Sequence, residues 1–258
     1  MKKYLFLLAK TVKSQLEYNR SVYLLILGEF IAQFTFIFSF LILFKSLGNI
    51  KGYTISQAIL IYATINICYT LAEMFGKGIN DLAKLIRNGN LDIYLIRPMS
   101  VLLQVMGNAF EFSRVGRLIQ SLLIFLITVC TSHIRWNILK GSEMILIIIA
   151  GIMLFLSIYL FFGTLSFFTT RQVSISVLLM GSGSDILHYP ANALPRGIRF
   201  ILMYLLPFGC INYLPFKYIL GFSNNYLLCL TPWVCFLFFI LVFAFWKMAL
   251  SKYSSTGS

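Results

Sequence analysis

The sequence predicts an all-α, polytopic membrane protein with six transmembrane helices, a cytoplasmic amphipathic helix and a re-entrant helical region before the last span. The first observation is composition, because 59% of the 258 residues are hydrophobic and only 11% are charged, against roughly 25% charged in soluble domains. The second is a series of apolar runs that reach or approach the ~20 residues a helix needs to cross a bilayer. The third is a charged segment with helical periodicity after the second run.

Residues 1–19 are expected to form an interfacial helix. Lysines such as Lys3, Lys10 and Lys13 would face anionic headgroups, while Leu5 and Leu8 point into the lipid. A secretory signal peptide is the alternative. Its apolar core would be too short here, and no small-residue cleavage site follows.

The apolar runs define six spans within one transmembrane domain, residues 1–253. The predicted spans are approximately residues 21–44, 56–75, 115–131, 144–168, 173–189 and 226–246. The fifth is short and is interrupted by the sequence GSGSD at residues 181–185. The last five residues, 254–258, read SSTGS and are interpreted as a possible cloning remnant.

The charged segment, Phe75 to Pro98, is called the connector below. Its apolar residues Ile79, Leu82 and Ile86 recur at steps of three and four, and polar residues occupy the other face. This pattern predicts an amphipathic helix over residues 77–88. Gly89 is expected to end that helix in a left-handed conformation.

Residues 190–221 are apolar but begin at Pro190 and are interrupted by three further prolines, Pro195, Pro207 and Pro215. The pieces between them are too short to cross a bilayer, so we expect a re-entrant or interfacial region on the outer side. About two thirds of the 21 lysines and arginines fall on the side of the termini and the connector. By the positive-inside rule, both termini and the connector are predicted to be cytoplasmic.

The sequence contains no phosphate loop GxxxxGK[ST], no HExxH and no GxSxG. We therefore expect no catalytic residues, no metal site and no cofactor bound by this chain. The five cysteines lie in apolar surroundings without a CxxC pair and are interpreted as packing residues. The net charge of +13 is attributed to membrane topology, and no nucleic-acid partner is expected.

Polar groups inside the spans are candidates for a translocation path, because burying them in lipid costs at least ~2.5 kcal/mol for a charge. The alternative is structural: Glu29 snorkels to the inner surface or pairs with a basic residue there, and Asp185 pairs with Arg196 or Arg199. Glu73 is expected to pair with Lys77, one turn later. The candidate path residues are Glu29, Gln33, Asp185 and Arg199.

The connector resembles the signature GI..L...IR.G.LD..L.RP of bacterial ABC-transporter permeases of the type-2 exporter class. Tyr189 with Pro190, and the run Leu206 to Pro215, are similar to the outer re-entrant region of that family. The resemblance implies a coupling helix, 77–88, that docks on a separate cytoplasmic ATPase, which binds ATP and Mg. The residues assigned to ATPase coupling are Gly78, Ile79, Asp81, Leu82, Lys84, Ile86, Arg87, Gly89, Leu91, Asp92, Arg97 and Pro98.

The leading hypothesis is a permease in the bacterial inner membrane that exports an amphiphilic compound: a drug, a peptide or a lipid-like product. The resemblance implies two permease subunits, identical or related. In the docking hypothesis, Ile79, Leu82 and Ile86 fill a groove on the ATPase; the alternative is that this face lies on lipid headgroups. A proton-coupled carrier that uses Glu29 and Asp185 is the second hypothesis, and an intramembrane enzyme is disfavoured.

Overall fold

The computed structural model describes residues 2–17, 19–47, 52–132, 134–169, 197, 200 and 206–253. Two 3₁₀ turns, Phe112–Arg114 and Tyr226–Leu230, precede the helices named α7 and α11 below. The all-α, polytopic class is confirmed. The α-helices of the described part are α1 (Lys2–Leu16), α2 (Asn19–Leu47), α3 (Ile55–Asn80), α4 (Leu82–Arg87), α5 (Leu91–Leu95), α6 (Val101–Asn108), α7 (Val115–Thr131), α8 (Ile138–Thr169), α9 (Gly209–Asn212), α10 (Leu214–Ile219) and α11 (Trp233–Ser251).

Five stretches in the described part are long and apolar enough to cross a membrane. They overlap the predicted spans 21–44, 56–75, 115–131, 144–168 and 226–246. The predicted span 173–189 lies outside the described residues, so the count of six remains a prediction. The stretches are Arg20–Ser39, Ile55–Arg87, Phe112–Thr131, Ile138–Thr169 and Tyr226–Ser251.

Other predictions also fall partly outside the described residues. Residues 254–258 and most of 190–205 are among them. In the described remainder of the predicted re-entrant region, the chain forms the short helices α9 and α10. Pro215 stands in the first turn of α10, where its missing N–H group costs no helical hydrogen bond.

Helix α3 is the centre of the helix bundle. It packs against both α7 and α8, and α8 also packs against α11. Side chains such as Leu60, Ile65 and Phe155 are fully buried in the resulting core. The central position of α3 also places its polar side chains Thr64 and Asn66 inside the protein, where they form hydrogen bonds away from lipid.

Two glycines allow neighbouring helices to approach at backbone distance. A Cβ atom on Gly78 of α3 would lie 1.9 Å from the carbonyl oxygen of Val105 in α6. A Cβ atom on Gly116 of α7 would lie 1.9 Å from the carbonyl oxygen of Ile26 in α2. Small residues at such crossings increase the van der Waals contact between helices in lipid.

Helix α1 is fixed to α6 and the turn that follows it. The Thr11 hydroxyl donates to the Gly107 carbonyl oxygen (2.9 Å), and the Phe112 amide donates to Gln15 Oε1 (3.0 Å). On the other side, Leu5 and Phe6 are 60% and 75% exposed. An amphipathic helix with this exposed apolar face fits the predicted interfacial position.

Replacing Gly116 with Ala should destabilise the protein by about 1–3 kcal/mol, because the added methyl group must push α7 away from α2. The measurement is the midpoint of thermal unfolding in detergent. Gly28→Ala in α2 is the matched control, since nothing lies within 4 Å of its added Cβ. Equal midpoints for the two variants would contradict the close packing at Gly116.

Candidate functional site

The connector begins as the last turn of α3 and continues through α4 and α5. Its predicted helix, 77–88, is divided at Asp81, where φ is −84° and ψ is 2°. Gly89 has a φ of +68°, and its N–H group donates to the Ile86 carbonyl oxygen at 3.0 Å. The predicted left-handed stop at Gly89 is therefore confirmed, and it ends α4 before the chain turns into α5.

The apolar face of the connector is buried within the chain itself. Ile79, Leu82 and Ile86 are 2%, 0% and 1% exposed, and α4 packs against α8. Ile79 lies so close to α8 that a Cβ on Gly163 would be 2.5 Å from its Cγ2 atom. The structure thus revises the docking hypothesis, because these three side chains fill the protein's own core and cannot fill a groove on a partner.

The opposite side of the connector is exposed, with basic and apolar side chains side by side. Ile96 is 84% exposed, and Ile93 and Leu95 are also exposed. Leu95 is part of the signature quoted above, whereas Ile93 and Ile96 were not predicted from the sequence, although isoleucine beside Arg97 and Pro98 is unusual outside a span. Among the predicted coupling residues, Lys84, Arg87, Arg97 and Pro98 are exposed, Asp81, Gly89 and Asp92 are partly buried, and Gly78, Ile79, Leu82, Ile86 and Leu91 are buried.

A cluster of charged side chains lies where α2, α3 and the start of α7 meet. It is called the ionic cluster, and its members are Glu29, Glu73, Glu111, Arg114 and Arg117. Arg117 donates from Nη2 to Glu29 Oε2 (2.8 Å) and from Nη1 to Glu73 Oε2 (2.9 Å). One guanidinium therefore joins α2 and α3 to α7.

Arg114 makes a parallel set of contacts. Its Nη2 atom lies 3.2 Å from Glu73 Oε1, its Nε atom lies 3.1 Å from Glu111 Oε2, and Nη1 also pairs with Glu29. Both arginines thus hold the same two carboxylates. Such multiple N–H···O contacts suit the planar guanidinium group.

The pairing of Glu73 differs from the prediction. Glu73 pairs with the two arginines of the ionic cluster, while Lys77 lies 3.9 Å from Glu111. The reason is the position of α7, whose first turn approaches α3 closely and presents stronger, bidentate donors. The side chains of the cluster are largely shielded, with exposed fractions between 13% and 26%.

The ionic cluster is continued into α8 by aromatic residues. The guanidinium of Arg117 lies 5.6 Å from the centre of the Tyr69 ring, which is a cation–π distance. The Tyr69 side chain is also hydrogen-bonded to the Tyr159 side chain of α8. Helices α2, α3, α7 and α8 are therefore joined by one continuous set of polar contacts.

The candidate translocation residues that the structure describes both make contacts within the chain. Glu29 belongs to the ionic cluster, as the structural alternative predicted. Gln33 is buried between α2 and α3, where its Oε1 atom accepts from Tyr62 (3.0 Å) and Asn66 (3.2 Å). Asp185 and Arg199 lie outside the described residues, so the translocation path remains a prediction.

The potential metal-binding side chains and the cysteines do not form a functional site in the part of the chain that the structure describes. No group of three or more His, Cys, Asp or Glu side chains is placed to hold a metal ion there. Cys68, Cys210 and Cys235 are buried, free thiols. Buried thiols in apolar surroundings behave as small packing residues.

Comparison with protein families gives one result that covers most of the chain. The family model described as ABC-2 family transporter protein matches residues 30–257. This range includes the connector and all of the ionic cluster except Glu29. No curated protein matches the chain.

Replacing Arg117 with Met should destabilise the protein by about 1–3 kcal/mol, because two shielded carboxylates lose one of the two arginines that they share. Arg87→Met is the control, since Arg87 is exposed and a surface change is usually within about 0.5 kcal/mol. Thermal unfolding in detergent measures both. Adding Glu73→Gln to Arg117→Met should recover part of the loss, and a further fall of the midpoint would contradict the role of charge balance.

Proposed function

Since the chain belongs to the ABC-2 family of transporters, it is a membrane permease. We propose that it exports an amphiphilic compound and that the energy comes from ATP hydrolysed by a separate subunit. The observation that carries this proposal is the connector, with one face anchored in the helix bundle and the other face exposed. A segment built this way can transmit force from a partner to the spans.

The exposed face of the connector is the proposed docking surface for the ATPase. It consists of Lys84, Arg87, Ile93, Leu95 and Ile96. Exposed apolar side chains together with cations are typical of a protein interface that excludes water and fixes orientation by charge. Ile96 is the proposed anchor, because it is the most exposed apolar side chain of this surface.

Movement of the connector would reach the spans by two routes. The buried residues Ile79 and Leu82 link it to α8, and the helix α3 continues from the connector into the centre of the bundle. The ionic cluster then links α3 to α2 and α7. Closure of the ATPases on ATP would thus shift several spans together, as packed helices move as units.

The remaining partners follow from the family and from exposure. A second permease, identical or related, is expected to complete the translocation route, with lipid around both subunits. In the described part, α2 and α11 expose large apolar side chains such as Phe38 and Leu237. These faces are available to lipid or to the second permease. ATP and Mg are assigned to the ATPase, and the bacterial inner membrane is the proposed location.

The alternative of a proton-coupled carrier has less support. Such a carrier needs a carboxylate that gains and loses a proton during transport. Glu29 is held by Arg114 and Arg117, so its charge is already balanced. Transport by the purified complex that persists without ATP but stops when the proton gradient is removed would favour the carrier instead.

Ile96→Asp should abolish most of the association between the permease and the ATPase that co-purifies with it from native membranes, because a charge would enter the apolar centre of the docking surface. ATP turnover of the complex should fall in parallel, while the unfolding midpoint stays the same. The matched control is Ile138→Asp at the opposite end of the bundle, where Ile138 is 91% exposed. Unchanged association for Ile96→Asp would contradict the docking surface.

The connector should be accessible only from the cytoplasm. In a background with Cys130→Ser and Cys229→Ser, Lys84→Cys should react with a membrane-impermeant maleimide in inside-out vesicles but not in intact cells. Asn224→Cys, exposed at the opposite end of the bundle, should show the reverse pattern. Labelling of Lys84→Cys in intact cells would mean that the proposed sidedness is wrong.

A further inference from the structure

A cavity of about 610 Å³ lies between α1 and the connector. This volume is within the range of about 300–1,000 Å³ that is common for ligand sites. The side of α1 contributes Lys10 and Ser14, and the side of the connector contributes Asn90, Tyr94 and Arg97. The docking surface adjoins the cavity, and Ile93 belongs to both.

The cavity is electropositive. Lys10 and Arg97 are its charged lining residues, and no acidic side chain lines it. Among the ion pairs of the described residues, none involves either cation. Arg97 instead lies 5.7 Å from the centre of the Tyr94 ring. Two cations on facing walls, with hydroxyl and amide groups between them, suit a phosphate group.

Both walls of the cavity are fixed to α6. On one side, Thr11 and Gln15 hold α1 to α6 and the turn after it. On the other side, Gln104 of α6 donates from Nε2 to the carbonyl oxygens of Tyr94 and Met99, both at 2.8 Å. The cavity is therefore a built feature of the fold and not a gap between loose surface segments.

The cavity lies where phospholipid headgroups are expected. It borders α1, whose Leu5 and Phe6 form the exposed apolar face, and Leu7 and Ile93 are among its lining residues. A phosphate ligand at this depth would have acyl chains beside α1 and its headgroup in the cavity. This combination of apolar and cationic groups favours a lipid over a soluble anion.

We propose that this cavity binds the headgroup of an anionic phospholipid, with the phosphate between Lys10 and Arg97. The bound lipid ties α1 to the connector, so that the composition of the inner leaflet regulates how the permease responds to its ATPase. The regulatory part rests on the proposed function; the binding site does not. Phosphatidylglycerol is the probe lipid for the test.

The test is native mass spectrometry of the purified permease, without any ATPase, titrated with phosphatidylglycerol or phosphatidylcholine. Lys10→Gln with Arg97→Gln should weaken phosphatidylglycerol binding by about tenfold or more, since two cations near the headgroup are lost. The control, Lys13→Gln with Arg87→Gln, removes the same charge from the same two segments outside the cavity and should change binding less than about twofold. Equal losses in the two double variants would overturn the proposal.

Two further arms make the result specific. A photoactivatable phosphatidylglycerol should crosslink to the wild-type peptide that contains Asn90 and Tyr94, and absence of this crosslink would overturn the proposal even if the double variant fails to fold. Inorganic phosphate should not displace the lipid; displacement would identify a soluble phosphate and overturn the assignment to a lipid. Because no ATPase is present, failure of these binding tests is distinguishable from failure of the docking surface.

Discussion

The structure depends on neutralising the buried carboxylates of the ionic cluster in a largely apolar helix bundle. Glu29, Glu73 and Glu111 are too shielded to remain unpaired at low cost. Arg114 pairs with all three, and Arg117 pairs with the first two. This requirement fixes the relative position of α2, α3 and α7 at one end of the bundle. Apolar packing alone would leave these helices free to slide, because lipid solvates an apolar surface as well as a neighbouring helix does.

At the same end of the bundle, the connector has two faces with different roles. Ile79, Leu82 and Ile86 are required for packing on α8, and the exposed face that ends at Ile96 is left for a partner. A substitution on the buried face would unfold the protein before it revealed anything about docking. The family match covers the whole connector, and the geometry distinguishes its two faces.

Much of this arrangement could be predicted from the sequence, because hydropathy and helical periodicity are local properties. The long apolar runs located five of the spans, and Gly89 marked the end of α4. The pairing of Glu73 could not be predicted, because Arg117 is far away in sequence and its position depends on how α7 packs against α3. Likewise, an amphipathic pattern shows that Leu82 has an apolar partner but does not show whether that partner is the same chain, a second protein or lipid.

The length of α3 has a mechanical consequence. From Ile55 to Asn80 it has 26 residues, which at 1.5 Å per residue is about 39 Å. The ionic cluster contacts α3 at Glu73, about 10 Å from Asn80 and about 27 Å from Ile55. If α3 rotates as a rigid rod about Glu73, a displacement of Asn80 produces a displacement of Ile55 that is more than twice as large. Strokes of an ångström or two on one side of the membrane then suffice for a wider opening on the other.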